Sequence, residues 1–289
     1  MIKVNCNLCG SDNYSVFYPS TIRNSQPRVE DYISTNNQYG IYNTIVVCNC
    51  CGLKYVNPRD EGIKDLYKSV VDNAYLESWN ERAYTFTKHM KVLSKYYKEG
   101  KSLLDVGCYA GIFLSEAKKA GYAAAGLDPS LWAVVFAREK TCADVRQGGW
   151  DEVFFPEESF DIVTMWDVIE HLEDPSACLN QAYRWLKKNG IIALTTHDIA
   201  SPFARFMGKR YLWLMRFHLY HFEPKTLSAM LFKNNFQPIA TEYYSKKVSL
   251  QYFVERVGVR IDWKIFKKIP VAINTGDFFI IIARKQQKD

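Results

Sequence analysis

The chain has 289 residues, 48% of them hydrophobic, and a formal net charge of +6. This composition is ordinary for a globular protein, and the apolar runs are too short to span a bilayer, so we expect no transmembrane segment. Lysine and arginine are scattered instead of forming the dense basic face of a nucleic-acid-binding domain, so no nucleic acid is expected as a partner. Because the N-terminus has no apolar signal region, we expect a cytoplasmic protein.

Five of the eight cysteines lie in the first 51 residues, where two C-x-x-C-G stretches occur. The cysteine pairs of these stretches are Cys6 with Cys9 and Cys48 with Cys51. Cys50 is left out, because pairing Cys48 with Cys51 restores both the spacing and the following glycine. Clustered cysteines without a secretion signal favour a metal over disulfides, and four thiolates suit tetrahedral Zn²⁺. We predict a zinc-ribbon-like module over residues 1–60 with a closed, structural site; four reduced thiols in a loop are the alternative.

A helical linker or cap is predicted over residues 61–100, after a break at residues 57–60. One face of a helix is formed by Phe86, Met90, Leu93 and Tyr97. This helix is expected to end near Gly100. Aromatic residues before it, among them Tyr75, are expected to pack against the protein, and some of them to cover a ligand.

From residue 101 onward, short apolar runs alternate with helical patterns, which predicts an α/β domain over residues 101–289. The predicted strands are 103–106, 123–128, 160–166, 191–196 and 278–285. The predicted helices are 111–120, 130–139 and 174–190, and one that Pro224 opens. In the helix 174–190, Asp174 is the expected N-cap and Pro175 the first helical residue. Lys187 and Lys188 complement the dipole in its last turn, and Gly190 closes it. Strands that alternate with helices imply a mostly parallel sheet covered on both faces, with ligands at the carboxyl ends of the strands.

Three features stand at predicted strand ends, namely the loop 107–111, Asp128, and the pair Trp166-Asp167. Asp128 follows Gly107 by 21 positions, the spacing at which an acid accepts the ribose hydroxyls of an adenosine-type ligand. A dinucleotide needs a second glycine for close approach to its pyrophosphate, but Gly107 is followed by Cys108 and Tyr109. S-adenosyl-L-methionine (SAM) has no phosphate, and Asp105 is suitably placed for its ammonium group. The pattern therefore favours SAM over NAD.

Several stretches together resemble class I SAM-dependent methyltransferases. They are LLDVGCYAGIFL (103–114), GLDPS (126–130), ESFDIVTMWDVIEHLEDP (158–175) and the helix end LKKNG (186–190). CNLCG (6–10), CNCCGLKYVNPR (48–59) and HLYHFEPKTLSAML (218–231) are similar to the bacterial subgroup with an N-terminal zinc-binding module. Many members of that subgroup tailor sugars, polysaccharides or natural products. The resemblance implies a Rossmann-like methyltransferase sheet, SAM and structural Zn²⁺ as cofactors, and a small-molecule acceptor.

The resemblance also implies which residues bind the cofactor. They are Asp105, Gly107, Tyr109, Gly111, Asp128, Pro129, Gly148, Trp150, Trp166 and Asp167. Asp128 matches the ribose-binding acid of the family, and residues 147–150 lie where the family contacts adenine, although the aspartate common there is not evident. The family pattern G-C-G-x-G departs at Tyr109, which replaces the central glycine.

Histidines are the candidates for the general base that an acceptor hydroxyl requires. His218 and His221 come first, because the family uses their segment beside the acceptor pocket, and His197 comes second. The spacing of His218 and His221 also suits a metal, but no third ligand is near them in the sequence. The predicted acceptor contacts are Tyr75, Glu170, His171 and Arg216; for His171 the alternative is a turn cap bonded to the backbone.

Two segments of the main domain, 201–223 and 245–270, are interpreted as insertions. The first is aromatic and basic, which predicts a lid or acceptor wall, with a membrane-surface helix as the alternative. The second predicts a further wall or the contact of a homodimer.

We predict a methyltransferase that O-methylates a small polar acceptor with a histidine base. Sugars, sugar nucleotides and glycan or natural-product precursors are the expected acceptors, phosphorylated or nucleotide-linked ones included. Oxygen is favoured because carbon-methylating members of the subgroup are often longer, whereas this chain ends soon after its last predicted strand. The alternatives are C- or N-methylation of a sugar nucleotide, an RNA methyltransferase that binds through the zinc module, a non-enzymatic interaction protein, and an NAD-dependent oxidoreductase.

Overall fold

The computed structural model describes residues 1–22, 26–33, 35, 39–249 and 270–287. The chain begins with a small antiparallel sheet of β1 (Tyr14–Tyr18), β2 (Ile45–Cys48) and β3 (Lys54–Val56). One C-x-x-C-G turn precedes β1 and the other joins β2 to β3. The glycine of each turn, Gly10 or Gly52, has a φ near +80°, a conformation that side-chain-bearing residues rarely adopt. The two cysteine turns therefore lie side by side at one end of this sheet.

Three helices follow, α1 (Ile63–Lys68), α2 (Asn73–Glu77) and α3 (Trp79–Tyr96). The Asp72 side chain caps α2 by accepting a hydrogen bond from the backbone N–H of Tyr75. The predicted amphipathic helix is α3, and its inward face buries His89, Met90 and Leu93. These helices cover the region between the small sheet and the main sheet.

The main domain is a seven-stranded sheet. Further strands along the chain are β4 (Ser102–Val106), β5 (Ala123–Asp128), β6 (Asp144–Gln147), β7 (Phe160–Trp166), β8 (Leu186–His197), β9 (Tyr220–His221), β10 (Phe236–Tyr243), β11 (Lys246–Ser249), β12 (Pro270–Ile273) and β13 (Phe278–Lys285). The sheet has the order β10-β13-β8-β7-β4-β5-β6, and β13 is antiparallel to both of its neighbours, whereas the other pairs are parallel. Every residue of β7 is buried, as expected for a central strand covered on both faces. The prediction of a mostly parallel α/β sheet is confirmed.

Further helices lie between these strands along the chain. They are α4 (Ile112–Lys119), α5 (Leu131–Thr141), α6 (Pro175–Trp185), α7 (Pro202–Met207) and α8 (Pro224–Lys233). The Asp174 side chain caps α6 as predicted, but the helix ends at Trp185 and not at Gly190. The prediction that Lys187 and Lys188 form its last turn is wrong, because Leu186 already pairs with Phe160 of β7 and begins β8.

The predicted insertion 201–223 joins the N-terminal sheet to the main domain. Its strand β9 pairs with β3, with Tyr220 opposite Tyr55 and His221 opposite Lys54. In the second predicted insertion, β11 pairs with β12, and residues 250–269 lie outside the described residues. Among the described helices, none is both long enough and apolar enough to cross a membrane.

Candidate active site

A cleft of about 1010 Å³ lies at the carboxyl ends of the parallel strands. Residues that follow β4, β5, β7 and β8 line it, because parallel strands bring these ends to one edge of the sheet. The predicted site residues in its lining are Tyr75, Gly107, Tyr109, Asp128, Pro129, Trp150, Trp166, Asp167, His171, His197 and His218. Those outside the lining are Asp105, Gly111, Gly148, Glu170, Arg216 and His221.

The loop between β4 and α4 needs both of its predicted glycines. Gly107 has a φ of +73°, and a Cβ there would lie 2.7 Å from Cγ2 of Val168. Gly111 has a φ of +77°, and its Cβ would lie 2.9 Å from the Cβ of Ala137 in α5. The first glycine therefore lets the loop pass the segment after β7, and the second lets the start of α4 pack closely on α5.

Asp128 is held in place by the backbone on both sides of it. Its two carboxylate oxygens accept hydrogen bonds from the N–H groups of Tyr109 and Ser130, each at 2.9 Å. Burial raises the pKa of Asp128 to about 6, and these two hydrogen bonds act in the opposite direction. The carboxylate is thus ionised at neutral pH, oriented, and exposed to the cleft, as a ribose-binding acid requires.

The Tyr109 side chain turns toward the N-terminal helices. Its φ is +44°, and its ring packs edge-on against Tyr75 of α2, with 4.7 Å between the ring centroids. The Arg82 guanidinium lies 3.6 Å from the centroid of Tyr75 on the same side of the cleft. The residue that replaces the central glycine of the family pattern therefore connects the nucleotide loop to the helical cap.

Two buried groups form the floor beneath the expected methionine end. Asp105 accepts a hydrogen bond from the hydroxyl of Thr164 at 2.7 Å, and burial raises its pKa well above the usual range. It lies behind the cleft lining, so any contact with a ligand would have to run through a water or a small movement. Trp166 lines the cleft and packs on His89 of α3, with 4.6 Å between the ring centroids.

Asp167 places a further carboxylate in the cleft. It accepts hydrogen bonds from Lys246 Nζ at 2.6 Å and from the hydroxyl of Thr195 at 2.9 Å. Burial acts to raise its pKa, but the charges of Lys246 and His197 outweigh burial and hold it well below the usual range. Asp167 therefore stays ionised. It lies between two parts of the cleft, which we call the cofactor part (Gly107, Asp128 and Trp166) and the histidine part (His171, His197 and His218).

The segment after β6 forms the wall expected to face adenine. Gly149 and Trp150 line the cleft, whereas Gly148 lies just behind them. Asp151 also lines the cleft, although no aspartate was evident there from the sequence. Both of its carboxylate oxygens bind Lys64 Nζ, at 2.8 and 2.7 Å.

Two of the predicted base candidates, His197 and His218, lie together in the cleft wall. His197 Nδ1 is 3.5 Å from a carboxylate oxygen of Glu170, which is buried behind the lining. His218 Nδ1 lies 2.7 Å from the carbonyl oxygen of Trp213, so this nitrogen carries the proton and donates it. Burial raises the pKa of Glu170 to about 8, and burial lowers the pKa of His218 well below the usual range.

His171 is bonded to the backbone, in agreement with the turn-cap interpretation. Its Nδ1 lies 3.0 Å from the carbonyl oxygen of Phe217 and 3.0 Å from the hydroxyl of Tyr67. Its ring nevertheless lines the cleft. A contact between His171 and an acceptor stays a prediction.

His221 and Arg216 lie behind the wall of the cleft. His221 belongs to β9, and burial lowers its pKa to about 3. Arg216 is buried between Asp60, at 2.9 Å, and Asp31, at 3.2 Å. These ion pairs connect the N-terminal module to the insertion, and direct roles in catalysis or acceptor binding stay predictions.

Sequence reasoning missed several residues of the cleft. Arg82, His89 and Lys246 all line it, and so does Tyr67, one of the aromatic residues before α3 that were expected to pack or to cover a ligand. His89 carried a usable signal, because it lies on the predicted apolar face of α3 between Phe86 and Met90. Lys246 had none, since it reaches Asp167 from a segment far along the chain.

The four predicted cysteines come together. The sulfur atoms of Cys6, Cys9, Cys48 and Cys51 all lie within 4.8 Å of one another. Cys50 lies outside the cluster and donates to the hydroxyl of Ser11 at 3.2 Å. Backbone N–H groups overcome the effect of burial and lower the pKa of Cys48 to about 7, whereas burial raises the pKa of Cys6 to about 11 and also raises that of Cys51. The donor set and its closeness fit a tetrahedral zinc ion.

Comparison of the sequence with known families finds one match. A model described as a methyltransferase domain matches residues 78–241, more than half of the chain. A ubiquinone biosynthesis O-methyltransferase of Rhodopseudomonas palustris is 35% identical over 116 residues, 38% of this chain and 45% of that protein. One from Azorhizobium caulinodans is 29% identical over 127 residues, 41% of this chain and 50% of that protein. The chain spans about half the length of these curated relatives.

Solved structures share the fold. A SAM-dependent methyltransferase from Archaeoglobus fulgidus superposes with a TM-score of 0.54 at 19% identity, covering 74% of this chain and 100% of that one. Another from Thermotoga maritima has a TM-score of 0.52 at 21% identity, covering 74% of this chain and 96% of that one. At these identities the likeness shows the fold alone, which is the fold of class I SAM-dependent methyltransferases.

Proposed function

This chain belongs to the methyltransferase-domain family, and from that membership we propose that it moves a methyl group from SAM to a hydroxyl oxygen of a small polar acceptor. The acceptor classes that we propose are sugars, sugar nucleotides, and glycan or natural-product precursors. The observation that carries this proposal is one continuous cleft with Asp128 in one part and His197 and His218 in another. Asp128 ends β5 and His197 ends β8, three strands away, which is roughly 14 Å across the sheet. A cofactor and a small acceptor fit side by side in such a cleft.

The residues after β4, β5 and β7 suit SAM. Asp128 keeps lone pairs for ribose hydroxyls after accepting the two backbone hydrogen bonds, and Gly107 keeps the loop clear of side-chain bulk. The indole N–H of Trp166 is buried without a partner among the described residues, so it can donate a hydrogen bond to a ligand in the cleft. SAM, when bound, supplies a methyl group on a positively charged sulfur. The neutral thioether that remains after the transfer is a good leaving group without further activation. The chain's part is then to align the acceptor oxygen with that methyl group.

The curated relatives support an oxygen acceptor, and the lining of the cleft supports an acceptor with a ring and an anionic group. The curated relatives named above are O-methyltransferases. The histidine part of the cleft is walled by aromatic rings, including Tyr67, Trp213 and Phe217, which can pack on the apolar faces of a sugar or another ring. Arg82 and Lys247 also line the cleft and offer positive charge to a phosphorylated acceptor. An acceptor with a hydroxyl, a ring and an anionic group matches this lining.

His218 is our first candidate for the group that removes the hydroxyl proton. Its Nδ1–H is held by the Trp213 carbonyl, which leaves the lone pair of Nε2 as the acceptor of a proton. His197 is the second candidate, because it lines the same wall beside the Glu170 carboxylate. His221 remains a third candidate, but its position behind the wall would require a movement.

We further propose that the cysteine cluster holds a structural zinc ion. Four thiolates leave no open coordination position, so such a site stabilises the module and takes no part in methyl transfer. Support comes from the four sulfur atoms within 4.8 Å of one another and from the paired backbone turns that present them.

The proposal is tested by replacing His218 with asparagine, whose amide N–H can still donate to the Trp213 carbonyl. We expect kcat to fall by about 10²–10⁴-fold, because a general base is lost, while SAM affinity measured by calorimetry changes less than about threefold. Turnover is followed as demethylated SAM with a library of sugars and sugar nucleotides, and mass spectrometry of the product locates the methyl group on oxygen, nitrogen or carbon. The His197→Asn variant is assayed in parallel, and full turnover in both variants would remove both residues as bases.

A further inference from the structure

Three buried side chains converge behind the wall of the cleft, although they lie far apart in the sequence. Glu170 follows β7, His197 ends β8, and His218 precedes β9. One ligand atom from each lies within 4.8 Å of the other two, and His197 Nδ1 is 3.5 Å from Glu170 Oε1. Ligands about 2.0–2.1 Å from a tetrahedral metal are about 3.4 Å apart, so this last distance already matches a shared ion.

A small cavity of about 10 Å³ lies among these side chains. Glu170, His197, His218 and His221 contribute to its lining. A cavity of that volume holds about one water molecule or one small ion. His197 and His218 also line the large cleft, so an occupant of the small cavity would lie directly behind the acceptor part of the cleft.

The strongest sign of an occupant is the carboxylate of Glu170. The side chain is 1% exposed, and neither of its oxygens makes a hydrogen bond of normal geometry in the described part of the chain, although the Thr196 hydroxyl and the backbone lie near enough to interact with it. Nε2 of His221, which faces the same cavity, is likewise buried without a partner there. Burial of an ionised carboxylate without compensating contacts costs several kcal/mol, so a buried carboxyl group either becomes neutral or pairs with a cation or a metal ion.

His218 has the arrangement typical of a metal-binding histidine. Its Nδ1–H donates to a backbone carbonyl at 2.7 Å, which fixes the ring orientation and directs the lone pair of Nε2 away from that bond. Metal-bound histidines almost always make such a bond with their second nitrogen, since it sets the tautomer.

We propose that Glu170, His197 and His218 bind one first-row divalent transition-metal ion, separate from the cysteine cluster. Two imidazoles and one carboxylate are a ligand set for Zn²⁺, Fe²⁺, Co²⁺ and Mn²⁺ and leave coordination positions open toward the cavity. His221 lines the same cavity but is not one of the three residues whose ligand atoms converge. The sequence pair His218 and His221 suggested a metal without a third ligand, and the fold supplies the missing ligands from β7 and β8.

This inference goes beyond the proposed methyl transfer, because binding of the ion is measured on the protein alone. It also constrains that proposal. A lone pair of His218 that binds a metal cannot accept a proton, so the two roles of His218 belong to different states of the protein. Turnover with and without the bound ion reports on the base, whereas metal content reports on the site.

The experiment uses the full chain with its cysteine cluster loaded with zinc. Titration with Co²⁺ should add one further equivalent, with the visible absorption bands of Co²⁺ but without the near-ultraviolet charge-transfer band that thiolates produce. In the Glu170→Gln variant, which keeps the size of the side chain, the affinity for this equivalent should fall by more than about tenfold. The His89→Asn variant is the matched control, because it removes another buried cleft histidine that is not part of the cluster, and it should bind Co²⁺ as the unaltered protein does.

Circular dichroism and SAM affinity establish that each variant is folded, and His218→Asn provides a second variant with the same expected loss. The proposal is overturned if the unaltered protein takes up no second equivalent, if Glu170→Gln binds it equally well, or if the added Co²⁺ shows thiolate bands. Loss of the second equivalent with normal methyl transfer would support the metal site and leave the histidine base in place. If the unaltered protein binds the second equivalent but transfers no methyl group to any acceptor, the metal site would be supported and the proposed methyl transfer contradicted.

Discussion

The two parts of the cleft are built in different ways. The cofactor part comes from consecutive strand ends, so Gly107, Asp128 and Trp166 lie within 60 residues and each belongs to a short local pattern. The histidine part combines residues from α1, β7, β8 and the insertion before β9, and none of these segments carries a complete motif. Local patterns specify the first part, whereas tertiary packing assembles the second.

The histidine part also depends on the N-terminal module. Strand β9 is hydrogen-bonded to β3 of the module, and the Lys54 ammonium of β3 pairs with Glu223 directly after β9. Arg216 adds a buried ion pair with each of Asp31 and Asp60. The cofactor part has no such attachment in the described strands, since its sheet order runs from β7 through β4 to β6 without a module strand. A substitution that disrupts the module should therefore lower turnover with the acceptor more than it lowers the affinity for SAM.

Replacement of Cys9 by serine should have the largest effect. Loss of one thiolate should weaken zinc binding by more than about 100-fold, because even partners outside the ligand set are worth 10–100-fold. Since β3 and β9 share one sheet, we expect turnover to fall more than about tenfold while SAM affinity stays within about threefold. Zinc content, turnover and calorimetric SAM binding are measured on the same preparation.

The control for the cysteine cluster is Cys50→Ser, which keeps a hydroxyl for the contact with Ser11 and leaves the four sulfur atoms untouched. It should retain one zinc per chain and normal turnover. Equal zinc loss in both variants would contradict the assignment of the ligands, and a parallel loss of SAM affinity in Cys9→Ser would contradict the independence of the cofactor part.

Replacement of Asp128 by alanine should act on the opposite part of the cleft. Loss of hydrogen bonds between a charged carboxylate and ribose, at about 1.5–3 kcal/mol each, should weaken SAM binding by about 100-fold or more. Zinc content should not change, because Asp128 is on β5, which belongs to a different sheet from the strands of the module. Asp144→Ala is the control, since Asp144 is an exposed carboxylate on the neighbouring β6. Unchanged SAM affinity in Asp128→Ala would refute the assignment of the cofactor part.

Sequence reasoning succeeded where one short stretch determines one local structure. The loop that begins at Gly107, the strand end at Asp128 and the cap at Asp174 each follow from neighbouring residues. The end of α6 was mispredicted because pairing of Leu186 with a strand outweighed the local preference for a helix. Contacts such as that of Lys246 with Asp167 could not be predicted, because they depend on where distant segments meet.

His89 lies where the helical cap meets the cofactor part, and its replacement should give the smallest of these effects. Burial lowers its pKa to about 3, and both ring nitrogens are buried without a partner in the described part of the chain. In the unfolded chain a histidine has a pKa of about 6.5. As the pH falls below that value, the unfolded chain binds a proton at this residue and the folded protein does not, which stabilises the unfolded state. Stability due to this residue is thus present above about pH 6.5 and is lost as the pH falls toward 3.

The His89→Leu variant, which cannot titrate, isolates this contribution. Between pH 7 and pH 5, the unaltered protein should lose about 2 kcal/mol of unfolding free energy relative to the variant, since each pH unit below 6.5 costs about 1.4 kcal/mol. Urea unfolding at both pH values measures the difference, and the other buried histidines cancel because both proteins contain them. A difference that does not change with pH would mean that His89 can take up a proton in the folded state. The junction between α3 and Trp166 would then be open to water, and the cofactor part would depend less on the helical cap than its packing indicates.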